Sequence, residues 1–274
     1  MKKLILAVIL LSATFTANIQ AQEIVKRFLK NQETTSKNEL IYITYDDVII
    51  LTNDNINRMF GFESLDEETK KELTQKYTRI YDKVNKDEVL NIYKNGLVKE
   101  LRRYGFTIYQ QAYKVNKITG RFNTLNVSQI ELEEFTRIDS LNAKYYTDST
   151  VYYKTVTGLR FNVWLEYNFA DTTSRQLLFL SHEITDEFEG FTEEIDGEVY
   201  ADYTYSALTP NDAYTLSNNV AKLTARYMYN FLLNKYVQEK TGNSHQYHYS
   251  IGENKKIKYS LYKTDTFEVL PIEE

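Results

Sequence analysis

The chain lacks cysteine entirely across its 274 residues. A disulfide, a thiolate zinc site, a cysteine nucleophile and a lipid-modified cysteine are therefore excluded. Proline is scarce as well, and two prolines beside 24 tyrosines are typical of an ordered chain and not of a disordered one.

Clusters of basic residues are also missing. The formal net charge is −5, the pI is near 5.5, and Lys and Arg are dispersed along the chain. Because nucleic-acid binding depends on clustered Lys and Arg that neutralise phosphates, we expect no nucleic-acid partner.

Hydrophobic runs of membrane-spanning length are absent. The apolar run from Leu4 to Leu11 falls far short of the roughly 18 residues that a span needs. Lys2 and Lys3 precede it and small residues up to Ala21 follow, which is the pattern of a secretory signal peptide, the alternative being a membrane anchor. We expect cleavage near Ala21, no membrane span afterwards, and a mature protein in a Gram-negative periplasm, with release from the cell as a lesser possibility.

Motifs for catalysis and metal binding are absent too. His245 and His248 would point to opposite faces of a strand, and no Cys or nearby Asp completes a metal-binding set. His182, beside Ser181 and Glu183, has no Gly-x-Ser-x-Gly elbow near it. We therefore expect no catalytic residue, no metal and no cofactor, and a protein that is not an enzyme.

The stretch from Gly158 to Phe169 is the clearest element that is present, because apolar and polar residues alternate with the period of a strand. A second strand is expected from Leu177 to Glu189 and a third from Val199 to Ala207. Asp196 and Gly197 tolerate the positive φ of a type I′ turn. Together these segments predict an antiparallel meander with one face in the core.

A long helix follows the meander. Thr209 can cap it, Pro210 suits its first position, and Gly242 marks its far end. Its apolar residues recur at spacings of three and four, which predicts that it lies across the sheet; they are Ala213, Leu216, Val220, Leu223, Tyr227 and Phe231.

The N-terminal half predicts a strand, two helices and another strand. The first strand runs from Leu40 to Leu51, a charged helix from Leu65 to Val84 opens with Ser64 and Glu67 as a capping box, and a second helix runs from Asn85 to Gly105. Gly96 within it indicates close packing on the sheet. Phe106 to Gln110 then returns to strand.

The second half leaves one ambiguity. Phe122 to Ile138 fits either a strand or a helix, and we favour a strand. The end of the chain, from Tyr247 to Leu261, predicts a hairpin.

These elements define an α+β, two-layer fold with a mixed, mostly antiparallel sheet on which the long terminal helix and a second helix pack. Residues 1–21 are expected to be the signal peptide and 22–38 a leader. A single domain spans 39–262 with a helical insertion at 53–84, and 263–274 form a tail.

The element order carries a resemblance. A helix leads into the step Gly105, Phe106, Thr107 and Ile108, the stretch from Leu125 to Phe135 follows, and the last helix has small residues Ala213, Ala221 and Ala225. This arrangement resembles the auxiliary lipoproteins of ABC-type transporters and the related Tol-type N-terminal fold, although the lipid-bearing cysteine of those proteins is missing here. The resemblance implies an envelope protein that binds a partner without catalysis.

Two surfaces are candidates for binding. The first combines the thin apolar stripe of the first helix with an acidic hairpin, and its residues are Leu73, Tyr77, Ile80, Asp186, Glu187, Glu189, Glu193 and Glu194. Its alternatives are a solvated face and a calcium site, but the hairpin lacks the Asp-x-Asp-x-Asp-Gly order of a calcium loop. The second is an aromatic ligand surface of Trp164, Phe188 and Tyr200, with burial beneath a helix as the alternative.

The sequence thus predicts an exported, non-catalytic envelope protein that acts as an adaptor or accessory subunit by binding an envelope protein partner. The alternative is a periplasmic module that binds a glycan or a peptide, because tyrosine offers apolar area with a hydroxyl tip. A hydrolase is a third class and would need a deep pocket that gathers distant carboxylates, such as Asp46 with Glu166 or Glu183. The sequence does not indicate an oligomeric state.

Overall fold

A mixed sheet with two long helices on one face forms the body of the protein. The computed structural model describes residues 23–28, 40–46, 49–59, 61–110, 122–144, 152–170, 175–241, 248–252, 256–260 and 267–271. Within these ranges the fold is α+β, as the sequence predicts.

The main sheet has seven strands in the order β12-β7-β6-β4-β1-β3, with β2 pairing beside β1 along β4. β4 runs antiparallel to β6, β6 to β7 and β7 to β12, whereas β1 and β2 run parallel to β4, and β3 runs parallel to β1. The strands are β1 Leu40–Tyr45, β2 Ile49–Asn53, β3 Thr107–Tyr109, β4 Asn123–Ser140, β6 Tyr153–Asn168, β7 Arg175–Thr185 and β12 Glu268–Leu270.

Besides the helical residues 23–28, four helices are described, two of them long. They are α1 Asp54–Asn57, α2 Glu67–Tyr77, α3 Lys86–Arg103 and α4 Pro210–Thr241, with 3₁₀ turns at Phe62–Ser64 and Tyr81–Lys83. Asn85 caps α3 through its side chain, as predicted. Pro210 opens α4 as predicted, and Asp212 accepts hydrogen bonds from both the backbone and the hydroxyl of Thr209. Gly242 lies outside the described residues.

The core lies between the sheet and the helices α3 and α4. Tyr93 of α3 stacks on Phe161 of β6 with ring centroids 5.7 Å apart, and its hydroxyl donates to Thr224 of α4. Gly96 lets the two helices approach, because a Cβ there would lie 2.9 Å from the Cβ of Ala221. The close packing that we expected for Gly96 is therefore against α4 and not against the sheet.

The predicted three-stranded meander is divided between two sheets. β6 and β7 belong to the main sheet, whereas β8, Glu187–Ile195, and β9, Glu198–Ser206, form a second sheet with β5, Asn142–Ala143. The turn between β8 and β9 is confirmed, since Asp196 and Gly197 have φ of 54° and 80°. One long predicted strand, Leu177 to Glu189, breaks at Asp186, where the chain leaves the main sheet.

The first predicted strand is divided in the structure, whereas the stretch that could be a strand or a helix forms one strand. Leu40 to Leu51 forms two strands, β1 and β2, which pair with different stretches of β4. Asp47 lies between them, outside the described residues. Phe122 to Ile138 is a strand, as we favoured, and β4 extends it to Ser140.

The first predicted helix is shorter than expected. α2 is capped by Asp66 and not by Ser64, and it ends at Tyr77. The chain then bends at Thr78, which has extended backbone geometry, so Ile80 and Val84 leave the helix and enter the core.

The chain ends also differ from the predicted boundaries. Residues 23–28, assigned to a leader, form a helical turn whose Phe28 packs edge-on against Tyr229 of α4. Within the segment predicted as a tail, β12 pairs with β7 and Phe267 is buried against Tyr227. Both segments therefore contribute to the domain.

The predicted terminal hairpin is confirmed. β10, His248–Ile251, pairs antiparallel with β11, Ile257–Ser260. It is fixed to α4 by side-chain amides: Asn230 accepts from the backbone of Ile251 at 2.9 Å and Asn234 from that of Tyr249 at 2.8 Å. His245 lies outside the described residues.

Candidate functional site

Exposed hydrophobic side chains concentrate at one end of the molecule. Residues 136–143, 152–157 and 186–206 form what we call the distal lobe, which consists of the second sheet and the projecting ends of β4 and β6. Eight of the eleven exposed large hydrophobic residues in the described ranges belong to it: Ile138, Tyr152, Tyr153, Ile195, Val199, Tyr200, Tyr203 and Tyr205. Concentrations of this kind mark interaction sites more often than single exposed residues do.

The distal lobe has a core too small to cover its own sheet. Leu141, Val156 and Phe188 form a separate buried cluster. All nine residues of β9 are exposed, although its tyrosines alternate as they would in a half-buried strand. The sequence therefore predicts that one face of this strand lies in the core, whereas in the structure both faces of β9 are exposed.

An aromatic face occupies one side of the β8–β9 hairpin. Tyr203 stacks on Tyr152 with centroids 5.6 Å apart and contacts Phe188 edge-on at 5.4 Å. The Lys154 ammonium lies 3.6 Å from the centroid of the Tyr205 ring. Cation–π contacts hold such rings in place without removing them from solvent.

An acidic face occupies the other side of the same hairpin. Side chains on one side of a strand recur every second residue, and the register of β8 and β9 places five carboxylates together: Glu187, Glu189, Glu193, Glu198 and Asp202. Phe191 and Tyr200 lie among them. Lys144 contacts Glu193 at 2.7 Å and covers the Phe191 ring at 4.6 Å, so one basic side chain is drawn into this face.

Asp186 fixes the distal lobe to the body. Its side chain is fully buried, and its carboxylate pairs with the Arg79 guanidinium. The same carboxylate accepts the Tyr205 hydroxyl at 2.9 Å and the backbone N–H groups of Leu208 and Thr157, each at 2.8 Å. A buried carboxylate is tolerated only when it has hydrogen-bonding partners, and those of Asp186 come from both the lobe and the body.

The electrostatics of Asp186 follow from two opposing effects. Burial alone raises the pKa of a carboxyl, but hydrogen bonds from Arg79, Leu208, Thr157 and Tyr205 outweigh it and hold the pKa of Asp186 below its ordinary value. Asp186 therefore remains charged and paired in the folded protein.

Glu134 anchors the predicted insertion in the same way. Its buried carboxylate accepts the backbone N–H groups of Arg79, Ile80 and Tyr81 at 2.8, 3.0 and 2.9 Å. Residues 78–84 are thus part of the core region and not a detachable insertion.

The predicted partner surface is brought together only in part. Ile80 is fully buried and Asp186 is 2% exposed, so neither can contact a partner, and that part of the prediction is wrong. Leu73 is half-buried and Tyr77 is 40% exposed on α2. The remaining predicted residues lie on the hairpin and are exposed or half-exposed: Glu187, Glu189, Glu193 and Glu194.

The predicted aromatic surface does not exist as one site. Phe188 is buried in the small core, Tyr200 lies on the acidic face, and Trp164 lies on the main sheet, eight residues along β6 from Val156 or roughly 26 Å away. The alternative, burial beneath a helix, does not hold for Trp164 among the described residues. It is half-buried on the sheet face opposite α3 and α4, where it packs against Phe179 at 5.0 Å.

This second face of the main sheet is polar around Trp164. Asn162 donates to Glu131 at 3.0 Å, and Arg160 pairs with Glu133 at 2.8 Å and with Glu183 at 3.2 Å. Burial raises the pKa of Glu133, and the charge of Arg160 opposes that rise. We call this surface the open sheet face.

The carboxylates named for a hydrolase lie on the open sheet face and not in a deep pocket. Asp46 accepts from Asn126 at 3.3 Å, and Asn126 is paired across the ladder with Glu166. Two cavities of about 480 and 490 Å³ border α4. Glu183 lines the first of them, together with Glu187 and Asp212, but neither cavity is lined by Asp46 or Glu166, so the predicted carboxylates are not gathered in one pocket. In the part of the chain that the structure describes, no three His, Asp or Glu side chains cluster as metal ligands, and no helix is long and apolar enough to cross a membrane.

Sequence reasoning missed the residues that build the lobe: Arg79, Tyr152, Lys154, Tyr203 and Tyr205. The alternating tyrosines of β9 were a visible signal, but they were assigned to the core. Arg79 has no local signal, because its partner Asp186 lies 107 residues away.

Comparison with known proteins identifies no family. No protein-family model matches the chain, and no curated protein matches it in sequence. Among solved structures it is similar to one described as a neuraminyllactose-binding hemagglutinin homolog from Helicobacter pylori, at 8% identity and a TM-score of 0.30, covering 75% of this chain and 91% of that one. A likeness at this TM-score carries no argument about function.

Proposed function

We propose that the protein is an exported, non-catalytic envelope protein that binds another protein through the distal lobe. The observation that carries this proposal is the concentration of exposed hydrophobic residues there, eight of the eleven in the described ranges. Tyrosine-rich, partly apolar surfaces are favoured at protein interfaces, since each ring contributes contact area and a hydroxyl.

The lobe suits binding because it combines exposure with rigidity. Asp186 holds it to the body by an ion pair and by hydrogen bonds from separate segments of the chain. A surface fixed in this way loses little conformational freedom when a partner binds, which favours affinity.

The partner is expected to be basic where it meets the acidic face. Glu187, Glu189, Glu198 and Asp202 add to the charge of Glu193, which Lys144 pairs with. Complementary charge accelerates association and favours correct partners. The periplasmic location and the resemblance to transporter auxiliary lipoproteins belong to this proposal.

Site-specific photocrosslinking tests the proposal. p-Benzoylphenylalanine placed at Tyr200 or Tyr153, which are 49% and 65% exposed, should crosslink to one discrete protein in the producing cells. The same probe at Tyr77 or Tyr259, exposed residues outside the lobe, is the matched control. If the probe at Tyr77 crosslinks a partner and the probes in the lobe do not, the interface lies on α2 and the proposal is overturned.

A second candidate function is glycan binding, and the open sheet face supports it. Trp164 and Phe179 offer apolar rings beside the polar side chains of Gln129, Asn162 and Glu131. Flat rings flanked by hydrogen-bonding groups suit the faces and hydroxyls of a sugar. If this function is correct, glycan arrays should give binding that Trp164→Ala abolishes and Tyr200→Ala leaves unchanged.

A further inference from the structure

The outer edge of β9 has no strand beside it among the described residues. The sheet order is β5-β8-β9, which leaves β9 at the edge. Ile195 and Glu198 flank the two-residue turn, so they form a hydrogen-bonded pair, and pairing then alternates along the ladder. The backbone N–H and C=O groups that point away from β8 belong to Val199, Ala201, Tyr203 and Tyr205.

This edge lacks most of the features that protect an exposed strand against pairing. Exposed edges are commonly blunted by proline, by charged side chains, lysine above all, or by a bulge. β9 has two charged side chains, Glu198 and Asp202, and both lie on the acidic face. β9 contains neither proline nor lysine, and its register with β8 is regular over all nine residues, a length of roughly 30 Å. Such an edge is a template for an added strand.

The two faces of the hairpin determine which side chains an added strand would need. Side chains of the new strand would alternate between the acidic face, beside Glu198 and Asp202, and the aromatic face, beside Val199 and Tyr203. Lys or Arg complements the first face, and apolar side chains complement the second.

We propose that β9 accepts an extended segment of the partner protein as a further strand, with Lys or Arg alternating with apolar residues. This inference rests on the proposed function and specifies how the distal lobe recognises its partner. Main-chain hydrogen bonds along the edge supply affinity, and the acidic face selects for basic segments.

A fluorescent peptide of eight residues that alternates Lys and Val is the probe, measured by anisotropy with the full-length chain. Two N-methylated versions, modified on the Lys amides or on the Val amides, keep the charge and block one edge of the peptide each. One of them should bind at least tenfold more weakly than the parent, and an alternating Glu and Val peptide should bind more weakly still. Equal binding by the parent and both N-methylated peptides would show that charge alone holds the peptide, and would overturn the inference.

The matching protein variant is Ala201→Pro. It removes an outward-pointing N–H at an edge position, where proline is tolerated, while Ala201→Val keeps that N–H and is the control. We expect Ala201→Pro to bind the parent peptide at least tenfold more weakly than the native chain does, and Ala201→Val to change the affinity by at most twofold. Should Ala201→Pro fail to fold, as checked by circular dichroism, the N-methylated peptides decide alone.

The crosslinking experiment separates this inference from the proposed function. If the folded Ala201→Pro variant, with the probe at Tyr200, still crosslinks its partner, the lobe is the interface but β9 does not pair with a strand of that partner. If Tyr200 and Tyr153 capture nothing in the native chain, the proposed function itself fails.

Discussion

Asp186 is the residue on which the arrangement of the two sheets depends. It lies between the last residue of β7 and the first residue of β8. It accepts hydrogen bonds from Arg79, Thr157, Tyr205 and Leu208. The Arg79 side chain is 36% exposed, whereas the side chain of Asp186 is fully buried. Changing Asp186 therefore leaves buried N–H and O–H donors without an acceptor, which costs more than a surface ion pair contributes. Stability at this point is therefore concentrated in a single side chain.

Asp186→Asn should lower the free energy of unfolding by about 3 kcal/mol, because the amide keeps the shape but loses the charge and one acceptor. Urea denaturation measures the change. Glu187→Gln, at the adjacent exposed carboxylate, is the control and should stay within about 0.5 kcal/mol. Equal effects of the two substitutions would contradict the anchoring role of Asp186.

Stability should also depend on pH through Asp186. Its pKa is lower in the folded state than its ordinary value of 3.8, so the unfolded chain takes up a proton first as pH falls. The contribution of Asp186 is complete above its unfolded pKa and is lost as pH falls through the folded pKa. The stability gap between the native protein and Asp186→Asn, measured by urea denaturation from pH 6 to pH 3, should narrow below about pH 4. A constant gap would argue against a depressed pKa.

At the scale of elements, α2 and the segment after it differ in their contribution. α2 has no buried residue, whereas residues 78–84 include the buried Ile80 and donate three N–H groups to Glu134. The side chain of Asn53 donates to the carbonyl of Tyr77 at 3.1 Å, so the chain returns close to its starting point before that segment begins. α2 therefore projects from the domain without adding to its core, whereas residues 78–84 are part of the core.

Two deletions test this division. Replacing residues 61–76 by a short Gly-Ser linker should leave a folded domain with a similar melting temperature, since no residue in that range is buried. Removing all of 53–84 should prevent folding, because Glu134 would stay buried without its three backbone donors and Asp186 would lose its ion pair with Arg79. Circular dichroism on both proteins provides the measurement. A folded protein from the longer deletion would show that these carboxylates find other partners.

The whole molecule is a body and a lobe joined by long strands. β4 has 18 residues and β6 has 16, and they pair from the body into the distal lobe. The body buries a large core, whereas the lobe buries a small cluster and presents its rings and carboxylates to solvent. This unequal division leaves the lobe as the part available for binding.

Export is the prediction at this scale. The N-terminal sequence predicts that the mature protein begins near Gln22 and is recovered in the periplasmic fraction without detergent. Mass spectrometry of the mature N-terminus checks the first point and osmotic-shock fractionation the second. A chain that keeps Met1, or one extracted only by detergent, would contradict the prediction.

Local pattern determined the elements of this protein. The alternation in β6, the cap at Asn85, the helix start at Pro210, and the turn at Asp196 and Gly197 each depend on residues close in sequence, so they could be predicted. The acidic hairpin was likewise visible as a run of charges. The prediction of export and the absence of cysteine also come from the sequence alone.

Tertiary structure alone decided which faces are covered. The alternation in β9 is that of a half-buried strand, but β9 lies at the edge of a small sheet and all nine of its residues are exposed. The sequence predicts Ile80 and Asp186 on a partner surface, yet both are buried and hydrogen-bonded to residues far away in the chain. Periodicity shows that a strand has two faces, whereas burial depends on long-range pairing that no local pattern encodes.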